Sequence, residues 1–404
     1  MREKLLVAFF TVSLSFLAAC SSSPAQPGHV ADVRLRNCFA KLREGKTISV
    51  VALGGSITTG HQARPPELAG WAGLVNDWFK ERALEPGACK PGASVKFYNS
   101  GASGTDSAFA SIRLADHVLA YNPDLVIVEY AVNDQWLSAR VRKRSYEGVV
   151  RRLMYNSGRA VILLALNEKG APGKSTFREQ AEIAKHYNVP ILAWAGWVKQ
   201  SQWNRYFSGS ETIHPNNEGH ASIASGLVKF LNHAWNSPHA VHPVNKTLPP
   251  PLVSAEFQNV SCIGSNDTAS IVKNSLWETK LAILPNEWPS RGGKHLSGWS
   301  TSDPKAELSV RVRGKSVGVL FAESDMFFNS LAWLEDANGN VLSAKVIIKN
   351  FASYRAGYYG YAYAEIADNL DPSKEYILRI GVNPGASKGV STHIIGVLCT
   401  ASRV

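Results

Sequence analysis

Cysteine and methionine are scarce in this sequence, and long apolar runs are nearly absent. Each shortage removes a class of protein. The five cysteines include no Cys-x-x-Cys pair, and no His-Glu-x-x-His occurs, so ordinary structural or hydrolytic zinc sites are not expected. No segment calls for a metal or other cofactor. Beyond the first twenty residues no apolar run reaches the ~18 residues a membrane-spanning helix needs. Internal repeats are missing too. What remains is 404 residues, 45% apolar and 19% charged, enough to bury a core and to fill two or three domains.

The net charge of +11 is lopsided: +1 lies in the first nineteen residues, +8 in residues 20–235 and +2 in residues 236–404. Much of the excess sits in Arg140, Arg142, Lys143, Arg144, Arg151 and Arg152. Such a run reads as a solvated helix face, with attraction for an anionic glycan or lipid headgroup as its functional alternative. Nucleic acid is not an expected partner, because no recognised binding module is present.

Arg2 and Lys4 precede an apolar run from Leu5 to Ala19, the order of a secretory signal. Leu17-Ala18-Ala19-Cys20 resembles a bacterial lipobox. That resemblance implies a signal over residues 1–20 and lipidation of Cys20. It also implies a membrane anchor in the bacterial cell envelope, with Ser21 similar to the outer-membrane sorting pattern. Residues 21–46 read as a tether and lead-in, flexible from Ser21 to Gly28. Export brings an oxidising compartment, and removal of Cys20 leaves Cys38, Cys89, Cys262 and Cys399, for which three connectivities are open. One disulfide per half is the expectation, with Cys262–Cys399 closing the second.

From Thr47 to Trp235 short apolar runs alternate with helical periodicities. Strands are predicted at 47–53, 94–99, 124–130, 160–166 and 190–195. Their near-continuous apolar character suits a parallel sheet covered on both faces. Trp71, Leu74, Val75 and Trp78 share one helix face, as do Ile223, Leu227, Phe230 and Leu231. The alternation predicts a three-layer α/β/α sandwich over 47–235. Residues 236–251 (NSPHAVHPVNKTLPPP) read as a Pro-rich linker. Short alternating segments at 306–313, 315–322, 329–335, 341–347, 358–366, 375–381 and 393–399 follow, with a hairpin signal at Asn338-Gly339. They predict an all-β sandwich or jelly roll over 252–404.

The first strand runs into Gly54-Gly55-Ser56, the second ends in Asn99-Ser100-Gly101-Ala102-Ser103-Gly104, and the third in Ala131-Val132-Asn133-Asp134. Glu211-Thr212-Ile213-His214-Pro215 precedes the last helix. One edge of a sheet can collect all four, as open α/β folds collect their ligand groups. A serine needs a base to attack at neutral pH, and His214 can take its proton. Glu211, three residues earlier, can hold the imidazole's other nitrogen.

In these four blocks the sequence resembles the SGNH (GDSL-like) hydrolase family, from the first strand to Trp235. The resemblance implies a flavodoxin-like fold, Ser56 as nucleophile and His214 as base. Its oxyanion hole would comprise the Ser56 N–H, the Gly104 N–H and the Asn133 amide. Two departures stand out: Ala131 replaces a common glycine, and Glu211 replaces the usual aspartate. If Glu211 falls short of His214, the site works as a dyad.

Gly385-Ala386-Ser387-Lys388-Gly389 imitates a nucleophile elbow, but it lies between two predicted strands and reads as a turn. Tyr359, Tyr361 and Tyr363 share a strand face, with Tyr354 and Tyr358 nearby. Packing explains them, or, on an exposed face, sugar stacking. The reading is a lipid-anchored esterase that removes short acyl groups, acetyl foremost, from a glycan or other ester substrate. Its rivals are an acyltransferase, a lipase or lysophospholipase with the same site, and an inactive glycan-binding lipoprotein. With no catalytic candidate beyond residue 235, the first domain is expected to cleave small esters unaided.

Overall fold

A computed structural model describes residues 33–171, 175–237, 241, 243–281, 297–350, 359–383 and 390–400. The signal, Cys20, Tyr354, Tyr358 and the Gly385–Gly389 turn lie outside the described residues. Among the described residues no helix is long and apolar enough to cross a membrane.

The first half runs α1 (Val33–Arg43), β1 (Thr47–Gly54), α2 (Ser56–Thr59), α3 (Pro66–Ala69), α4 (Trp71–Leu84), β2 (Ser94–Gly101), α5 (Ser107–His117) and β3 (Leu125–Glu129). It continues through α6 (Ala139–Met154), β4 (Ala160–Ala165), α7 (Phe177–Tyr187), β5 (Ile191–Ala193), α8 (Trp203–Tyr206) and α9 (Asn217–Trp235). The five strands form one parallel sheet in the order β2-β1-β3-β4-β5. Alternate residues of β1 enter opposite cores. Val50 and Ala52 pack with α1, α4 and α9, while Val51 and Leu53 pack with α5, α6 and α7. Leu35, Phe39 and Leu42 of α1 are in the first core, so the lead-in expected through residue 46 already contains a core helix.

The second half is antiparallel: β6 (Val260–Ile263), β7 (Ile271–Ser275), β8 (Glu278–Leu281), β9 (Ser297–Thr301), β10 (Glu307–Val312), β11 (Ser316–Ser324), β12 (Asn329–Asp336), β13 (Val346–Ile348), β14 (Tyr359–Ala367), β15 (Tyr376–Asn383) and β16 (Thr392–Thr400). One sheet has the order β13-β12-β15-β10-β7 and the other β14-β11-β16-β9-β8, with β6 also beside β16. They face each other across a core that includes Leu308, Val319, Leu334, Leu378 and Val397.

Strands β11 and β16 of the second sheet are buried on both faces. The sheet's outward residues Leu320, Ala322, Tyr361, Tyr363, Ile395 and Leu398 share a cluster with Ala102, Phe109, Leu137 and Val141 of the α/β half. The two halves therefore have a common core, and Tyr361 and Tyr363 are covered by the α/β domain rather than open to sugar. Phe257, between the halves, is fully buried in that cluster.

The basic run of α6 belongs to the same junction. Arg144 pairs with Glu256 and Glu365 and donates to Ser316 Oγ. Arg151 donates to Gln258 Oε1 at 2.8 Å and to the Pro249 carbonyl at 2.9 Å, and Arg152 to Asn259 Oδ1. Arg140 pairs with Asp368, and Arg142 with Glu179. Glu147, on the same helix, accepts the N–H groups of Leu252, Val253 and Ser254. Arg140, Arg144, Arg151 and Arg152 are thus interdomain cement, not a solvated face, while Arg142 pairs within the α/β half.

The four described cysteines are free thiols, correcting the expected disulfides. Cys262 lies opposite Leu398, one residue out of step with Cys399. With side chains alternating across a sheet, Cys262 faces the interdomain cluster and Cys399 the sandwich core. Cys89 lies beside Arg43, where the Lys90 N–H meets the Arg43 carbonyl. Cys38 is five residues earlier on α1, about 7 Å along the helix axis, and buried.

Candidate active site

The carboxyl ends of β1, β2 and β3 finish level, with Gly54 opposite Gly101 on one flank and Glu129 on the other. The chain leaves β1 toward β2 on one side and returns to β3 on the other, which opens a crevice at the end of β1. Ser56 stands there as the first residue of α2. A Cβ on Gly55 would lie 2.8 Å from Asn133 Oδ1 and 3.1 Å from Nδ2. Glycine is what lets the Asn133 amide close over the serine turn.

Ser56 Oγ is 2.9 Å from His214 Nε2. Behind the imidazole, Glu211 Oε2 lies 3.4 Å from Nδ1, a loose separation of the kind that tightens when substrate binds. Glu211 Oε1 accepts the N–H groups of Thr212 and Ile213 at 2.9 Å and that of His214 at 3.3 Å. Partial burial works to raise this carboxyl, but the Ile213 and His214 N–H groups and the imidazole outweigh it and hold it at about 2. The extra methylene of glutamate is taken up in this wrap: one oxygen staples the loop while the other faces the ring.

The glycine loop is fastened to both neighbours. Gly104 has φ +71°, the left-handed conformation that glycine adopts without steric cost. Ser103 Oγ is 3.3 Å from Thr59 Oγ1 on α2, and Thr105 Oγ1 donates to the Ala102 carbonyl at 2.7 Å. Asp106 caps α5 by accepting the Phe109 N–H, and Asp134 accepts the Ser107 N–H at 2.8 Å. The Asn133 turn and the glycine loop are thereby joined. Burial pushes Asp106 up to about 6; burial and the neighbouring Asp106 raise Asp134 as well.

Several residues here carry no motif. Arg113, buried on α5, donates to the Ser100 carbonyl at 2.7 Å, the Gly54 carbonyl at 3.1 Å and Tyr130 Oη at 2.7 Å. One cation thus gathers three strand ends. Its signal was its place on an apolar helix face with Ala110, Leu114 and His117. Glu129 lies beneath α2 and accepts the Thr58 hydroxyl at 3.1 Å; burial pushes it up to about 7, against the Thr58 and Gly55 donors. The His61 ring sits 4.2 Å from that of His214. His220 accepts the Trp71 N–H at Nδ1, so its Nε2 carries the proton donated to the His61 carbonyl, and burial lowers its pKa to about 4. Trp136 ends the 3-10 turn that Asn133 begins and is 75% exposed.

A family model described as GDSL-like lipase/acylhydrolase matches residues 52–222. No curated protein matches the chain. Two solved structures of a two-domain esterase active on acetylated mannans are similar over almost the whole length. One superposes with a TM-score of 0.76 at 21% identity, over 92% of this chain and 96% of that one. The other, co-crystallised with mannopentaose, gives 0.74 at 21% identity, over 92% and 95%. At that identity the likeness speaks for the fold, here of both domains in the same arrangement.

Proposed function

Residues 52–222 form a domain of the GDSL-like lipase/acylhydrolase family, and from that premise we propose that the chain is an exported serine esterase removing short acyl groups, acetyl foremost, from a glycan. The observation that carries the chemistry is the Ser56 Oγ to His214 Nε2 contact of 2.9 Å, backed by Glu211. His214 takes the hydroxyl proton as Ser56 attacks the ester carbonyl. Glu211 steadies the imidazolium that forms. The oxyanion is received by the N–H groups of Ser56 and Gly104 and by Asn133 Nδ2. His214 then hands its proton to the departing sugar oxygen. A water activated by the same imidazole releases the acid and restores Ser56.

Two features support a glycan over a lipid. The exposed Trp136 indole, three residues from Asn133, offers a flat face suited to a sugar ring. The whole-length relatives act on acetylated mannans. Lipidation of Cys20 would hold the enzyme in the cell envelope, and labelled-lipid incorporation lost in Cys20→Ala tests that part.

For the chemistry, Ser56→Ala should lower ester turnover by about 10⁴ or more with the fold intact. Full turnover in that variant overturns the assignment. Rates across p-nitrophenyl esters should fall from acetyl to palmitoyl. Trp136→Ala should raise KM on acetylated mannan while leaving p-nitrophenyl acetate unchanged. A preference for long chains would make the protein a lipase.

A further inference from the structure

We propose that the β-domain is a working part of the oxyanion hole: the backbone N–H of Tyr361, on β14, pegs the carbonyl of Gly104 and so anchors, from its C-terminal side, the residue that lends its N–H to the transition state. The inference rests on the reading of Gly104 as an oxyanion donor.

Gly104 is the weakest point of the hole. It has no side chain to pack, and its left-handed conformation is one of several that a glycine samples at similar energy. Ser103 and Thr105 hold the turn on either side through their hydroxyls, but neither hydroxyl bonds to Gly104 itself. The Gly104 carbonyl instead receives the Tyr361 N–H at 3.2 Å, from a strand of the other domain. β14 is the edge of its sheet, bonded to β11 on one side. At Tyr361 its free side is turned to the glycine loop.

The same residue grips the loop a second time. The Tyr361 ring packs on Phe109, with centroids 5.5 Å apart. Phe109 is the residue whose N–H is capped by Asp106 at the start of α5. Tyr361 therefore holds the segment 104–109 near both ends, while Asp134 holds its middle through the Ser107 N–H. The pegged carbonyl and the donor N–H flank the same Gly104 Cα, so displacement of Gly104 as a whole would have to break the peg first. A donor misaligned by an ångström loses much of its effect on rate.

An edge position makes the peg testable without breaking the sheet, because proline is tolerated where a strand's N–H faces away from its neighbour. In the full-length protein, Tyr361→Ala removes the ring and keeps the N–H; Tyr361→Pro removes both. Relative to the alanine variant, the proline variant should lose a further ~10-fold or more in kcat on p-nitrophenyl acetate, with KM and melting temperature held. Affinity for a phenylboronic acid, which forms an anionic tetrahedral adduct on serine, should weaken by the same factor. Equal kcat in the two variants overturns the peg. If the proline variant does not fold, amide hydrogen exchange in the parent decides: protection of the Tyr361 amide comparable to β11 ladder amides supports the peg, and rapid exchange refutes it. Failure of the esterase reading is recognised separately, by a parent without turnover or a Ser56→Ala variant that retains it.

Discussion

Phe257→Ala puts a number on the junction between the domains. The ring is fully buried against α6. A Cβ at Gly148 would come within 2.5 Å of its backbone carbon and its Cβ. The Arg144 guanidinium carbon lies 5.4 Å from the ring centroid, and the Tyr363 ring meets it edge-on at 6.0 Å. Truncating a phenylalanine in such surroundings costs about 3–5 kcal/mol, transfer and cavity terms together. Set against a typical total of about 5–15 kcal/mol, that loss should show plainly in urea unfolding followed by tryptophan fluorescence. It should also separate a single transition into two, because the shared cluster couples the halves. A companion variant sharpens the reasoning. Gly148→Ala strikes the backbone and Cβ of Phe257, atoms that alanine retains, so Phe257→Ala should not rescue it. A Phe257→Ala cost under ~1 kcal/mol, far below the usual range, or a stable double variant, would refute this account of the interface.

Asn133→Ala should lower kcat by ~10²–10³ with little change in KM, as expected for a donor that acts on the transition state; parallel kcat and KM measurements check it. Glu211 is held at about 2, so it stays a carboxylate through the working range. The stability it lends is present above its unfolded value near ~4.3 and lost as pH falls toward 2. The acid limb of the kcat/KM profile should therefore show a single ionisation, and Glu211→Gln should slow turnover markedly. Glu129 goes the other way: burial raises it from 4.5 to about 7. The unfolded chain gives up this proton first, so stability falls between those pH values by an amount on the order of 3 kcal/mol. Glu129→Gln should abolish that fall, which urea midpoints at about pH 5 and pH 8 would reveal.

The parallel sheet was legible because its strands are continuous apolar runs, and the four loop blocks because catalytic chemistry limits which residues can stand at a strand end. Segments 317–322 and 394–399 carried a similar signal that alternation-based reading passes over. They are apolar throughout, unlike β12, whose burial alternates. A sandwich strand apolar on both faces announces a third layer, here the α/β domain. β6, β7, β8 and β9 are short and partly polar, too brief to stand out from turns. Arg144 and Arg151 looked like solvated charge because their partners, Glu256, Glu365 and Gln258, are remote in sequence. Even cysteine count suggested pairing, whereas strand parity, visible only in the register, sets Cys262 and Cys399 on opposite faces.

The Arg144 contacts also set a timetable for synthesis. Its partners lie 112, 172 and 221 residues further along the chain. At roughly 5–20 residues per second, the last of them is made some ten to forty seconds after Arg144 itself. Until then α6 carries unmatched cations and α5 an uncovered Phe109. The N-terminal half would leave the ribosome with the Gly104 carbonyl and the Phe109 ring still waiting for Tyr361, which is synthesised last of these.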